Sequence, residues 1–353
     1  MSINNVDAWY CTREDVQRAL DATPTARSTQ QIDRVIGQVS RQLEDDLGRI
    51  FYPLLTTRKF DWPQLPTVGS YPWRMWLNQY ELISATTVTS GGKVIPASGY
   101  LLEPVNDGPP YNRIEVNLGT SAAFSSGPTW QQSLVIAGLF GYDDVQTSAG
   151  ALATAMSDTT TARLDLTDSS QVGVGSILVC EAERGRVVAR QQLDTLQDLT
   201  GNIDAKAATV AVPITDGTKV SQWEVITVGT ERMLVTDVIG NTLTVRRAWD
   251  GTVLAAHSSG DSVFAGRRMV LGQRGDFGST AATHTGATAV GVQRIVVRSL
   301  AVAEALNVLI GEEAGMQRRT GSGDSQSDVG PSLMDIRAEA LNRWGRSARF
   351  RTI

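Results

Sequence analysis

Histidine, cysteine and aromatic residues are scarce in this chain, and each shortage removes a class of function. Two histidines and two cysteines occur in 353 residues. Structural zinc takes four ligands and catalytic zinc three plus a water; beyond His257 and His284 there is no further histidine, and Cys180 fills an apolar repeat position opposite Val228, so ligands of the right type are missing. Two cysteines are too few for a disulfide framework and suit a reducing compartment. No G-x-S-x-G is present, and two histidines in similar surroundings do not build a nucleophile–base–acid triad. No G-x-x-x-x-G-K-[ST] occurs, and the lone G-x-G at 173–175 is not followed by a helix signal, so phosphate cradling is not expected. The acidic pairs Asp45-Asp46, Asp143-Asp144 and Glu312-Glu313 are adjacent residues, which point apart on a helix or strand rather than across a scissile bond. No enzymatic activity, no metal and no cofactor are therefore expected.

Long apolar runs are also missing. The nearest candidate for a membrane span, 292–310, carries Arg294, Arg298, Glu304 and Asn307, and a span needs about 20 predominantly apolar residues. The first ten residues lack the basic region and apolar run of a signal peptide. A net charge of −5 argues against wrapping nucleic acid, which needs a basic face.

What the chain does have is pattern. Thr12 and Asp15 resemble a capping box ahead of Val16, Ala19 and Leu20, and Ser28 with Gln31 reads as a second helix start. Ile32, Val35, Ile36, Val39, Leu43 and Leu47 then form an apolar stripe at spacings of three and four, ended by Gly48. Helix returns with Val296, Leu300, Ala303, Leu306 and Ile310. Val297, Ala301 and Val308 make its other side apolar too, so this helix is expected to be buried all round, against the first stripe. Between them, Pro and Gly punctuate short runs of Val, Ile, Thr and aromatics, the pattern of strands and turns.

The region 161–290 repeats itself. At an offset of 48 residues Thr167-Asp168 meets Thr215-Asp216, Glu183-Arg184 meets Glu231-Arg232, and Cys180 takes the apolar position of Val228. A Gly240-Asn241 pair between alternating runs signals a hairpin. At an offset of 27, Arg247 meets Arg274 and His257 meets His284. The histidines thus read as turn residues in a duplicated unit, its last hairpin echoed once more, rather than as a site.

The expected fold class is α+β: a helical ring-forming core (1–58 with 291–316), a β-rich region (59–147) and a large inserted β module (148–290) built from internal repeats. A linker (317–330) of low apolar content leads to a C-terminal docking helix and basic tail (331–353). There Leu333, Ile336, Leu341 and Trp344 are interleaved with Arg337, Arg343, Arg346, Arg349 and Arg351, a Trp/Arg mixture that favours docking on a protein partner. Trp62, Trp73 and Trp76 read as core and interface residues of the β-rich region. A second functional reading is a carbohydrate- or host-surface-binding module in which Trp223 or Trp249 stacks on sugar.

Several stretches together resemble one family: "DAWYCTREDVQRAL" at 7–20, "GRIFYPLLTTRKFDWP" at 48–63 and "WLNQYELISATTVTSGG" at 76–92. "YLLEPVNDGPPYNRIEV" at 100–116 and "LVIAGLFGY" at 134–142 join them. The set resembles the head-to-tail adaptor (connector) proteins of long-tailed double-stranded-DNA bacteriophages, especially those infecting actinobacteria. The resemblance implies a structural virion protein at the neck, made in the host cytoplasm. It implies a homo-oligomeric ring, usually of twelve copies, beneath the portal protein and above a neck, stopper or tail-completion protein. Double-stranded DNA would pass through without sequence-specific binding, and no membrane is involved. It further implies a C-terminal segment that reaches the portal, here 331–353, and ring-body helices, here those of Ile32, Val35, Val39, Leu43, Val296, Leu300 and Ala303. The compact members of that family lack a counterpart to 161–290.

Overall fold

The structure, a computed structural model, describes residues 7–20, 26–62, 72–316 and 333–345. Helix α1 (Arg13–Leu20) is opened by Thr12, whose Oγ1 accepts from Asp15 N at 3.2 Å while Asp15 Oδ2 accepts from Thr12 N at 2.9 Å. This is a reciprocal cap. Helix α2 (Ala26–Leu47) starts two residues before Ser28 and buries its whole stripe from Ile32 to Leu47. Gly48, at φ +64, ends it and returns its N–H to Glu44 O at 2.9 Å, the left-handed stop that glycine adopts without steric cost.

The first β body holds β1 (Leu54–Phe60), β2 (Arg74–Trp76), β3 (Leu82–Ser90), β4 (Lys93–Ile95), β5 (Tyr100–Glu103), β6 (Arg113–Val116) and β7 (Leu134–Phe140). They form two antiparallel sheets, ordered β1-β7-β3-β4 and β2-β6-β5, over a core that includes Leu82, Ile114, Ile136 and Phe140. Trp62 and Trp73 pack half-buried against that core. The Arg74 and Arg113 guanidiniums stand over Trp73 and Trp76, at 4.8 and 5.2 Å from the rings.

The second β body holds β8 (Gln146–Ala151), β9 (Arg163–Asp165), β10 (Ile177–Cys180), β11 (Glu183–Asp198), β12 (Ala211–Pro213), β13 (Val225–Val228), β14 (Glu231–Ile239), β15 (Thr242–Arg246), β16 (Ser262–Leu271) and β17 (Ala289–Gln293). These make one ten-stranded antiparallel sheet, β12-β15-β14-β13-β16-β11-β10-β17-β8, with β9 joining on β16. Helices α3 (Arg298–Met316) and α4 (Leu333–Trp344) follow.

Strand pairing explains both sequence offsets at once. In β10–β17, Leu178 faces Val292 and Cys180 faces Val290; in β13–β16, Ile226 faces Ala265 and Val228 faces Val263. The second set is the first moved by 48 residues on one strand and 27 on the other. There are two copies, and one is nested in the other. A first unit, about 146–193 and 267–293, is interrupted at the tip of its β11–β16 hairpin by a nested unit of about 194–266. Long β11 and β16 run through both: each gives one end to each unit. The 27-residue echo is the returning half of the first unit and not a third hairpin. In the nested unit the equivalent hairpin, β14–β15, closes directly through Gly240-Asn241 with Ile239 facing Thr242.

The expected fold class is corrected by this architecture. Strand accounts for 37% of the chain and helix for 21%, in four helices among the described residues, so the molecule is mostly antiparallel sheet and has no helical ring-forming core. Part of the reason lies in how the helical cluster is closed. Alongside Val35, Ile36, Leu300 and Ala305 it contains Val174, Ile177 and Phe277 from the first β unit and Leu54 from β1. The helices cannot bury their stripes without those strands. Nor is α3 buried all round: Leu300, Ala301, Ala305 and Leu309 are inside, Ala303 is half-buried and Ile310 is 56% exposed. Val296 lies two residues ahead of the helix, packed at the edge of the cluster.

Candidate functional site

Two buried charge networks occupy equivalent places in the two β units. Glu231, at the start of β14, accepts from Arg247 Nε and Nη2 at 2.7 and 2.8 Å and lies 2.9 Å from His257 Nε2. Glu183, at the start of β11, accepts from Arg274 Nε and Nη2 at 2.5 and 2.9 Å and lies 2.9 Å from His284 Nε2. Backbone donors match too: Ala248 and Ala255 N–H serve Glu231, and Gly275 and Ala282 N–H serve Glu183. Each arginine spends its remaining N–H groups on carbonyls, Asp204, Thr209 and Ala255 in one unit and Asp158, Thr161 and Ala282 in the other.

Such a network holds a loop to a strand. The sequence placed the histidines correctly as repeated positions but assigned them to turn backbone, whereas their rings bind carboxylates. The signal for those carboxylates was present, since Glu183 and Glu231 align at 48 and the arginines at 27. A third carboxylate, Glu224, joins the units: it is fully buried and accepts from Arg267, Ser169 and Ser221.

Burial pushes the Glu183 and Glu231 carboxyls up, but the arginine, histidine and backbone hydrogen bonds outweigh it and hold each at about 2. Glu44 goes the other way. Burial against Tyr10 and α2 raises it to about 7, and the Arg41 charge and the Tyr10 hydrogen bond only partly offset this. Carboxyls held below their ordinary 4.5 stabilise the fold above that value and lose the contribution as pH falls toward 2. A carboxyl held above it stabilises the fold at low pH and loses the contribution between 4.5 and 7. The midpoint of thermal unfolding is therefore expected to be highest near pH 5, falling on both sides. Glu44→Gln is expected to flatten only the fall between pH 5 and 7, as scanning calorimetry across pH 2–8 would show.

The cysteines are buried and unpaired. Burial, with Asp15 nearby, pushes the Cys11 thiol up to about 12, and burial with Glu181 and Glu183 pushes Cys180 to about 11. Both thiols are therefore poor nucleophiles and poor metal ligands. Among the described residues no group of three or more His, Cys, Asp or Glu is placed to hold a metal ion, and no helix is long and apolar enough to cross a membrane.

A cleft of about 430 Å³ lies between α1 and the two β units. Loop 170–173 of the first unit and Thr12, Glu14, Arg18 and Arg298 form one side; Trp223, Leu234, Arg246 and Trp249 of the nested unit form the other. The two tryptophans singled out in the sequence are thus brought to one site. Arg298 is committed to Asp15 through two hydrogen bonds of 2.7 Å, and Glu14 accepts from Val174 N at 2.8 Å. Arg246 stands over the Trp249 ring at 5.0 Å.

The C-terminal residues divide between two faces of α4. Ile336 and Trp344 pack against the helical cluster and Ala340 is buried there, while Arg337 forms an ion pair with Glu304 of α3. Met334 and Leu341, seven residues apart and so on one face, are 78% and 49% exposed. Leu333 opens the helix. Arg346, Arg349 and Arg351 lie outside the described residues. No protein-family model, no curated protein and no solved structure matches the chain.

Proposed function

We propose that the protein is a structural virion subunit, a head-to-tail adaptor that joins the portal to the neck or tail around a DNA channel, in a ring of about twelve copies. The observation that carries this reading is the doubly apolar α4. Its inner face is satisfied by its own chain, and its outer face keeps Met334 and Leu341 in solvent. A helix of this kind is completed when a second protein covers it, and apolar side chains flanked by arginine are favoured at such contacts. The ordered set of stretches in 7–142 supports the same reading. So does the use of the most buried carboxylates as internal clasps, which suits a subunit whose work is done by its surfaces. Closure of a ring multiplies modest contacts, so each α4 needs only weak affinity for the portal.

The test is electron microscopy of the full chain mixed with the portal ring of the same genome, beside a chain ending at Gly330 and a Leu341→Glu variant. A collar with the full chain that is lost with both variants is the expected result. A collar with all three keeps the adaptor role and removes α4 as the portal contact. No collar with any of them, on portals that package DNA, rejects the adaptor reading.

A further inference from the structure

The first β unit is fastened by two loops, one to α1 and the segment before it, the other to Tyr52 and the start of β1. In loop 173–176 the Val174 C=O accepts from Arg13 N at 3.0 Å, Val174 N donates to Glu14 Oε2 at 2.8 Å, and Gly175, at φ +102, lies against the Trp9 ring. In turn 275–278 the Phe277 side chain is fully buried edge-on to Tyr52, its C=O accepts from Leu55 N at 2.9 Å, and Gly278 sits directly under Leu55 O.

The nested unit repeats both loops. Trp223 N donates to Val235 O as Gly175 N donates to Val187 O, which fixes Gln222 as the counterpart of Val174 and Trp223 of Gly175. Thr252 Oγ1 bonds Arg232 N and Trp249 O as Ser279 Oγ bonds Arg184 N and Asp276 O, which fixes Trp249 and Asp250 as the counterparts of Asp276 and Phe277. The docking loops of one unit therefore recur in the other with a tryptophan in each.

The nested loops keep what a docking face needs. The main-chain N–H and C=O of Gln222 make no hydrogen bond among the described residues, whereas those of Val174 grip α1. Trp223 is 52% exposed and held at φ +70 where the sister position is glycine. A bulky residue in that conformation is strained, and strain of this kind collects at functional positions. The Trp249 indole N–H is buried without an acceptor. Arg18 and Arg246, which line the same cleft, have no carboxylate partner among the described residues.

We propose that the nested unit carries a second docking face on these two loops, and that its occupant is a polypeptide segment presenting a carboxylate beside an apolar or aromatic side chain. The sister face sets the class of ligand: it holds a protein segment, with the Glu14 carboxylate on a loop N–H and the Trp9 ring against the loop. In the nested face the indoles supply the apolar contact, Arg246 the countercharge with Arg18 of α1 across the cleft, and Gln222 the backbone pair. This inference does not depend on the adaptor reading.

The probe is a labelled peptide with the sequence of residues 7–17, the ligand of the sister face, with serine for its cysteine, titrated against the full chain by fluorescence anisotropy. Saturable binding is expected, weakened at least tenfold when the peptide's three acidic residues are replaced by their amides. Trp223→Gly restores the sister residue and relieves its backbone, so it is expected to weaken binding at least tenfold while leaving the midpoint of thermal unfolding unchanged or higher. Trp130→Ala, at an exposed tryptophan of the first β body, is expected to change neither. No saturable binding up to the solubility of the peptide overturns the proposal, as does binding indifferent to Trp223→Gly. A fall in thermal stability of Trp223→Gly also overturns it, by making Trp223 a packing residue. An acidic trisaccharide that binds in a Trp223-dependent way where the peptide does not replaces the polypeptide with a sugar.

Discussion

Glu183→Ala is expected to destabilise the protein by about 3–5 kcal/mol, the cost of removing one partner from a buried ion pair. Arg274 and His284 are 8% and 4% exposed, so neither can turn to water once the carboxylate is gone. The loss leaves an uncompensated buried guanidinium, together with the orphaned N–H groups of Gly275 and Ala282. Glu231→Ala is expected to cost a similar amount for the same reason. The combination of Glu183→Met and Arg274→Met removes both charges at once and is expected to recover a large part of the loss, because the pair's attraction is set against a large desolvation penalty. Urea unfolding of the three variants decides the matter: a single-variant loss below about 1 kcal/mol, the range of exposed pairs, would show that the carboxylate is reached by solvent.

Phe277→Ala is expected to cost about 3–5 kcal/mol as a large-to-small change in a packed core, and to do so at a junction. The ring is 1% exposed, with its centroid 5.6 Å from that of Tyr52, inside the cluster that also holds Val35, Ile36 and Leu47. Its removal opens a void between the helices and the first β unit, so local opening should show there first. Hydrogen exchange at the Leu55 amide, which donates to Phe277 O, is expected to quicken more than exchange within the far strands β14 and β15. Equal quickening in both places would mean that helices and sheet unfold as one.

The sequence carried the local events well and the long-range ones unevenly. The α2 stripe, the Thr12–Asp15 cap, the stop at Gly48 and the turn at Gly240-Asn241 each depend on residues a few positions apart, and each is where the pattern puts it. The duplication was legible because buried strand positions and the Glu–Arg pairs must recur in both copies. Its nesting was not: the offsets of 48 and 27 describe halves of one relation, and only strand pairing shows that 183 and 274 belong together. The helical content was overvalued because amphipathic stripes are conspicuous, while half-exposed strands such as β1, with Thr56, Thr57, Arg58 and Lys59, mix polar residues into their pattern. The cleft escaped notice because nothing along the chain relates Arg18 to Arg246. The tryptophans facing it could have been suspected from one comparison, Trp223 standing where the sister copy has Gly175.

The shared strands β11 and β16 also impose an order of events. The nested carboxylate finds its arginine and histidine 16 and 26 residues downstream; the outer one must wait for partners 91 and 101 residues away. On chain-closure entropy alone the longer arginine loop costs about 1.5 kcal/mol more to shut. During synthesis the nested unit has every one of its strands before the returning half of the first unit exists. Once folded, it holds the far end of β11 beside the near end of β16, and the remaining closure becomes the zipping of a hairpin whose tip is already tied. The insertion that divides the first unit in sequence thus acts as the pin about which its two halves meet.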